Sequence, residues 1–301
     1  MATIGVYYDK LLEDVNIRHP TKYPAKLLFE NYNFYKKFYE NSNRRLQIGG
    51  SKYKDYNYND CTIRVYTRKE DDRYVYAIHN NDDDENTQEC MLIFIAKDNN
   101  KMPFAYIENI SAYDNCYKCT SMKTKTGTFL LTFMLNLIKN KLKDKYKLKY
   151  IQLRDNSIYH CKMSDATIKF SAFYMLTRGD TWYGKYGFVP FDDEKLKADK
   201  EYAAIYMKNK QIVNDIKVQQ VNMLKLIYTA IIKLKMTDKY TKNYISEIIE
   251  PNKNKSIKDF LYLFTKKLDK TCAIFSSFYE ELMNELHMQK MHGWTYYMPL
   301  D

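Results

Sequence analysis

Apolar and polar positions change period three times along the chain, and each change predicts a different layer. Residues 1–50 carry apolar positions at helical spacing, interrupted by Pro20 and Pro24. The pattern is clearest in Lys26-Leu-Leu-Phe-Glu-Asn-Tyr-Asn-Phe-Tyr-Lys-Lys-Phe-Tyr39. Gly49-Gly50 closes this region, and the tyrosine- and lysine-rich residues 51–60 read as a loop. From Cys61 the period becomes two: Thr62-Ile-Arg-Val-Tyr-Thr67 and Tyr74-Val-Tyr-Ala-Ile-His79 alternate. Cys90-Met-Leu-Ile-Phe-Ile-Ala96 is a continuous apolar run, as expected of a strand buried on both faces. Residues 104–110 make the next strand, and the short links predict an antiparallel meander.

The stretch from Ala105 to Phe191 organises the rest. A threonine- and lysine-rich loop, Thr120-Ser-Met-Lys-Thr-Lys-Thr-Gly-Thr128, runs into an amphipathic helix from Phe129 to Ile138, and a strand follows at Lys149-Tyr-Ile-Gln-Leu-Arg-Asp155. Strand, helix and strand form a crossover, so residues 105–110 and 150–154 should be parallel. A second helix is expected over 164–176, with Ser164 or Asp165 as its N-cap. Phe188-Val-Pro-Phe191 and Glu201-Tyr-Ala-Ala-Ile-Tyr-Met207 read as two final strands. Beyond that point Ile212, Ile216, Leu224, Ile227, Ile231 and Leu234 keep a helical beat. Ser256-Ile-Lys-Asp259 has the form of a capping box, 273–288 reads as another helix, and the aromatic tail 292–301 should pack back on the body. The expected fold is α/β: a mixed, mostly antiparallel sheet with a central β-α-β crossover and a C-terminal helical extension. The expected divisions are 1–60, 61–209 and 210–301.

Composition sharpens this picture only at some points. The 301 residues are 45% hydrophobic, enough for a sizeable core. The opening residues turn polar too soon for a signal peptide, and no apolar run reaches the roughly 18 residues of a membrane span. A soluble, cytoplasmic chain with no membrane partner is therefore expected. Six scattered cysteines fit reduced thiols better than a disulfide framework in so long a chain. Cys116-Tyr-Lys-Cys119 with His160-Cys161 is a weaker zinc alternative. The formal charge of +11 admits a nucleic acid, a phosphorylated ligand or an acidic partner without selecting one. Lys139, Lys141, Lys143, Lys145, Lys147 and Lys149 read first as a solvated helix end and second as a nucleic-acid surface.

A meander, a loop entering a helix, a parallel strand and a Tyr-x-x-x-Gly-Phe turn together resemble the GNAT superfamily of acetyl-CoA-dependent N-acetyltransferases. Trp182-Tyr-Gly-Lys-Tyr-Gly-Phe188 carries the likeness most specifically, with Tyr183 four residues before Gly187-Phe188. Gly127-Thr-Phe-Leu-Leu131 matches the helix start of that family. Asp155-Asn-Ser157 is similar to a motif of GNAT-like proteins from large DNA viruses and protists.

The resemblance implies transfer of an acetyl group from acetyl-CoA to an amine by direct attack. It implies Tyr183 as the acid that protonates the thiolate and Glu108 as the base for the amine. It also implies Lys123, Lys125, Thr126, Gly127 and Thr128 as the pyrophosphate site, where helix amides hold an anion. The family's phosphate loop reads Gln/Arg-x-x-Gly-x-Gly/Ala, and this chain has Met122 and Lys125 at its first two anchors. A catalytically inactive binding or structural module of the same fold, viral or nucleic-acid-associated, is the alternative. The acceptor, a protein or a small molecule, is not legible.

Overall fold

The computed structural model describes residues 52–300, apart from the short segments 71–72, 81–87, 97–102, 112–114, 120–125, 162–164, 193–196 and 199. The helix read near the N-terminus and the loop lysines Lys123 and Lys125 lie outside the described residues.

Five strands open the fold: β1 (Lys52–Tyr58), β2 (Cys61–Lys69), β3 (Arg73–His79), β4 (Glu89–Ala96) and β5 (Phe104–Ile110). Each pairs antiparallel with the next, which is the expected meander. β1 corrects the loop expected at 51–60. Its residues are mostly exposed, so no apolar alternation marks them as a strand. The stronger signal was the turn: Asn59 and Asp60 both take positive φ, 48° and 61°, as a two-residue hairpin linking twisted strands requires.

A short β6 (Lys118–Cys119) pairs with β2. Then α1 (Thr126–Leu137) leads through a π-helical turn at Ile138–Leu142 and α2 (Lys143–Tyr146) to β7 (Tyr150–Arg154). α1 is apolar nearly all round because it is covered: Leu130, Leu131 and Met134 are fully buried. β7 lies parallel to β5, as a crossover demands.

β8 (Ile158–His160) and β9 (Thr167–Lys169) form a separate hairpin, followed by α3 (Phe170–Arg178). The helix expected from residue 164 therefore starts later. Thr167 and Ile168 are β-branched and pair with β8, and Lys169, not Ser164 or Asp165, precedes the first turn. β10 (Val189–Asp192) and β11 (Lys197–Ala198) come next. α4 (Lys200–Asp215) replaces the strand expected at 201–207: Tyr206, Asn209 and Val213 share one buried face at helical spacing. The apolar run read there was too short to separate the two periods. α5 (Met223–Lys233), α6 (Lys242–Ile249), α7 (Ile257–Phe264) and α8 (Leu268–Glu285) complete the helical part. The expected cap on α7 is present, with Ser256 Oγ accepting from Asp259 N at 3.1 Å.

The tail returns as β12 (Thr295–Pro299), which pairs antiparallel with both β7 and β10. The main sheet runs β1-β2-β3-β4-β5-β7-β12-β10-β11, with β6 beside β2. The helices α4 to α8 thus lie between two strands of one sheet in chain order. Two hydrophobic clusters result, one between the sheet and α1, the other among α3 to α8, and Trp294 packs against both.

All six cysteines are paired: Cys61–Cys119, Cys90–Cys116 and Cys161–Cys272. The expectation of reduced thiols is overturned. So is the zinc alternative, since Cys116, Cys119 and Cys161 each bond another cysteine. No metal-ligating group of three or more side chains is found among the described residues. Among those residues no helix is long and apolar enough to cross a membrane.

Candidate functional site

The parallel pair sets the geometry. Pairing runs from Phe104–Tyr150 to Ile107–Leu153. β5 stays paired with β4 and β7 with β12 throughout, so only the parallel pairing between β5 and β7 ends at this point. β5 is irregular here: Ile93 pairs with Ile107 but Leu92 with Asn109, leaving Glu108 as the extra residue of a bulge. Bulges re-aim side chains, and they are frequent beside functional sites. Glu108 is exposed, and desolvation of its carboxyl raises its pKa against the opposing pull of Arg73. Glu89, at the start of β4 and near enough to Glu108 to feel its charge, went unnoticed in the sequence. Burial, together with the charge of Glu108, pushes it up to about 7, against the pull of an Asn109 hydrogen bond and Arg68. Only its place in a pairing register shows this, because one carboxylate at a strand start is unremarkable.

The second half of the site gathers after β7. Trp182 and Tyr183 occupy the turn between α3 and a single 3-10 turn at Gly184–Tyr186. Gly187, at φ 94°, ends that turn before Phe188 enters the core, the left-handed conformation that glycine adopts without strain. The first turn of α1 meets this segment directly. A Cβ built on Gly127 would stand 3.8 Å from Cη2 of Trp182. Tyr186 hydrogen-bonds Thr128, and Lys185 Nζ lies 4.7 Å from the Tyr186 ring centroid. The two sequence motifs, separated by more than fifty residues, are thus packed together. The first amides of a helix have no intrahelical partner and carry the positive end of its dipole. The first turn at Thr126, Gly127 and Thr128 therefore suits an anion, and among the described residues only the indole edge of Trp182 comes within 4 Å of where a Cβ on Gly127 would stand. These features fit the pyrophosphate of acetyl-CoA.

Tyr183 is 6% exposed and packs against Trp182 and Phe188, with ring centroids 4.8 and 6.0 Å away. Its hydroxyl is 3.1 Å from Ser157 Oγ. Burial, and secondarily the charge of Asp155, raises its pKa, so the phenol keeps its proton at neutral pH. Asp155 follows β7 and is fully buried. Oδ1 accepts from the Ser157 amide at 3.1 Å, an Asx turn that fixes the chain as it leaves the strand. Oδ2 is buried with no hydrogen-bond partner. Burial pushes this carboxyl up to about 6, against two hydrogen bonds from Ser157. The Asp155-Asn-Ser157 motif was visible in the sequence, but nothing there showed that its carboxylate is buried.

The lysine run at 139–149 is displayed at the far end of the crossover helix, where Lys139, Lys141, Lys145, Lys147 and Lys149 are exposed. No protein-family model, curated protein or solved structure matches this chain.

Proposed function

We propose that this chain is a GNAT-like N-acetyltransferase, moving an acetyl group from acetyl-CoA to an amine by direct attack. The observation that carries the reading is the contact between the α1 first turn at Gly127 and the Trp182–Phe188 segment. That contact lies on the crossover joining two parallel strands whose pairing ends at Ile107 and Leu153. The antiparallel meander and the crossover agree with the reading.

Acetyl-CoA supplies an activated thioester. The turn at Thr126, Gly127 and Thr128 holds its pyrophosphate, with Lys123 and Lys125 on the adjoining loop adding positive charge. Glu108, on the bulge, accepts the proton that the attacking amine gives up. Tyr183 donates a proton to the departing thiolate, a task for which a fully protonated phenol is in the correct state. The acceptor is an amine on a protein or a small molecule.

The burial of Tyr183 favours a second reading, an inert binding module of the same fold. A basic, nucleic-acid-associated factor remains a variant of that second reading, resting on the exposed lysines. Titration calorimetry with acetyl-CoA decides. Micromolar binding, followed by loss of thioester in the presence of an amine panel, supports the transferase. Absence of heat at millimolar ligand sinks it, and binding without turnover selects the module. The three disulfides bear on where the reaction would occur, because structural disulfides persist in oxidising surroundings, a setting at odds with the cytoplasmic one expected.

A further inference from the structure

Two groups that the transfer mechanism does not use, Ser157 and Asp155, adjoin its acid Tyr183. Ser157 Oγ stands between the Tyr183 hydroxyl, at 3.1 Å, and the Asp155 carboxylate, to which Ser157 gives both its amide and its side-chain hydrogen bond. The backbone around the chain is pinned from three sides. Asp155 N donates to Trp294 O at 2.9 Å, Gly293 N donates to Asp155 O at 2.7 Å, and Phe170 N donates to Ser157 O at 3.0 Å. Asp155 still leaves Oδ2 unpartnered in a fully buried position. A buried carboxylate with an orphaned oxygen costs free energy unless it can take up a proton.

We propose that Asp155, Ser157 and Tyr183 are a proton relay, with Asp155 as the buried store that refills Tyr183 through the Ser157 hydroxyl. The proposal rests on the transferase reading and adds a positioning pair to it. In the relay, the Tyr183 O–H bond breaks as the S–H bond of the departing thiol forms. Tyr183 takes the Ser157 hydroxyl proton, and Ser157 takes the carboxylic proton of Asp155. The product is a neutral thiol and an Asp155 carboxylate, which regains its proton from solvent between turnovers. The proton lost by the amine leaves separately on Glu108, so charge balances over the cycle.

Other titratable groups surround the chain. Tyr296, on β12, is fully buried, and the charge of Asp155 is one cause of its raised pKa, after burial. Behind Tyr296 stand Tyr206 and Asp180, which is paired with Lys210 at 2.8 Å. A charge on Asp155 therefore bears on two tyrosines, and its neutral form removes that influence from both.

The test uses the whole chain in a Trp294→Phe background, leaving Trp182, whose ring is 4.8 Å from Tyr183, as the fluorescent reporter. Asp155→Asn retains an oxygen for the Asx turn but removes the titration, and Ser157→Ala breaks the chain at its middle. Circular dichroism shows whether each variant folds. The expected result is a one-proton transition in Trp182 emission near pH 6, absent in Asp155→Asn and displaced to higher pH in Ser157→Ala, which loses a hydrogen bond that holds the carboxyl down. Where turnover is measured, wild-type kcat falls along a one-proton limb above that pH. The variants lose the limb and about tenfold of the kcat at its acid end.

A transition that persists in Asp155→Asn, or its absence in wild type, overturns the relay. Active wild type with an unchanged limb in both folded variants also overturns it and leaves the transferase reading standing. Wild type that transfers to no amine overturns the transferase reading and the relay with it. If Asp155→Asn does not fold, Ser157→Ala carries the test alone: an unmoved transition with an unchanged limb overturns the relay.

Discussion

The indole of Trp182 lies over Gly127, with Cη2 and Cζ2 3.8 and 3.9 Å from where a Cβ on residue 127 would stand. That separation is ordinary van der Waals contact, and Gly127 sits in the first turn of α1 at negative φ. An alanine therefore fits, and it removes the entropy cost of glycine in a helix, at most about 1 kcal/mol. Gly127→Ala should leave the melting temperature unchanged or slightly raised. If the backbone at 127 approaches a phosphate, the same change should weaken acetyl-CoA by about tenfold or more in calorimetry, since a methyl group would intervene. Weaker binding with preserved stability separates a ligand contact from a packing contact.

Tyr183→Phe removes one hydroxyl and keeps the ring stack. The lost hydrogen bond to Ser157 should cost only about 1 kcal/mol of stability. Loss of a general acid should lower kcat by roughly 10² to 10⁴ with little change in KM. Full activity in the phenylalanine variant would remove Tyr183 from the mechanism.

How much of this was legible in the sequence depended on where each signal lives. The crossover was readable because the helical stretch Phe129–Ile138 separates two strand-like runs, although it was read as amphipathic and is in fact covered nearly all round. The contact of Gly127 with Trp182 was not legible, because neither motif shows by itself that the two segments meet. The edge strand β1 was hidden because an exposed strand buries too little to leave an alternating pattern. α4 was misread because the apolar run in Glu201–Met207 is short and continuous with no period of its own, and its buried face emerges only when Asn209 and Val213 are included. Disulfides were beyond spacing altogether: Cys161 and Cys272 are 111 residues apart and meet only because the β8–β9 hairpin and α8 share a core. The weight of Asp155 was invisible for a related reason. Its burial depends on a tail strand more than a hundred residues later.

Two carboxyls with raised pKa give the folded chain a pH-dependent stability of definite sign. Glu89 rises from an ordinary 4.5 to about 7, and Asp155 from 3.8 to about 6. Between the ordinary and the raised value the folded state binds more protons than the unfolded state, so stability falls as pH increases through that window. For Glu89 the loss is complete above pH 7 and amounts to about 3 kcal/mol at most. Glu89→Gln should therefore raise the melting temperature at pH 8 by several degrees and leave it nearly unchanged at pH 4. Thermal melts of both proteins across pH 4 to 8 check this. A wild-type curve that rises steadily with pH over the interval would contradict the assignment.

The disulfides make the last prediction, and it concerns the loop that leads into α1. Cys90–Cys116 and Cys61–Cys119 fasten residues 116–119 to strands β4 and β2, so both bonds anchor the chain a few residues before α1 and its proposed pyrophosphate site. Cys161–Cys272 instead ties the β8–β9 region to α8. Cross-links of this kind are worth about 2–5 kcal/mol each in the folded state. Alkylation of the denatured, unreduced protein should label no cysteine, and full reduction should expose six. The Cys161→Ser/Cys272→Ser double variant should lower global stability with little effect on ligand affinity. The Cys61→Ser/Cys119→Ser double variant should also weaken acetyl-CoA binding, because it loosens the segment that positions the loop. Quantitative labelling without reductant would mean that the thiols stay free, and equal ligand affinity in the two double variants would detach the cross-link from the site.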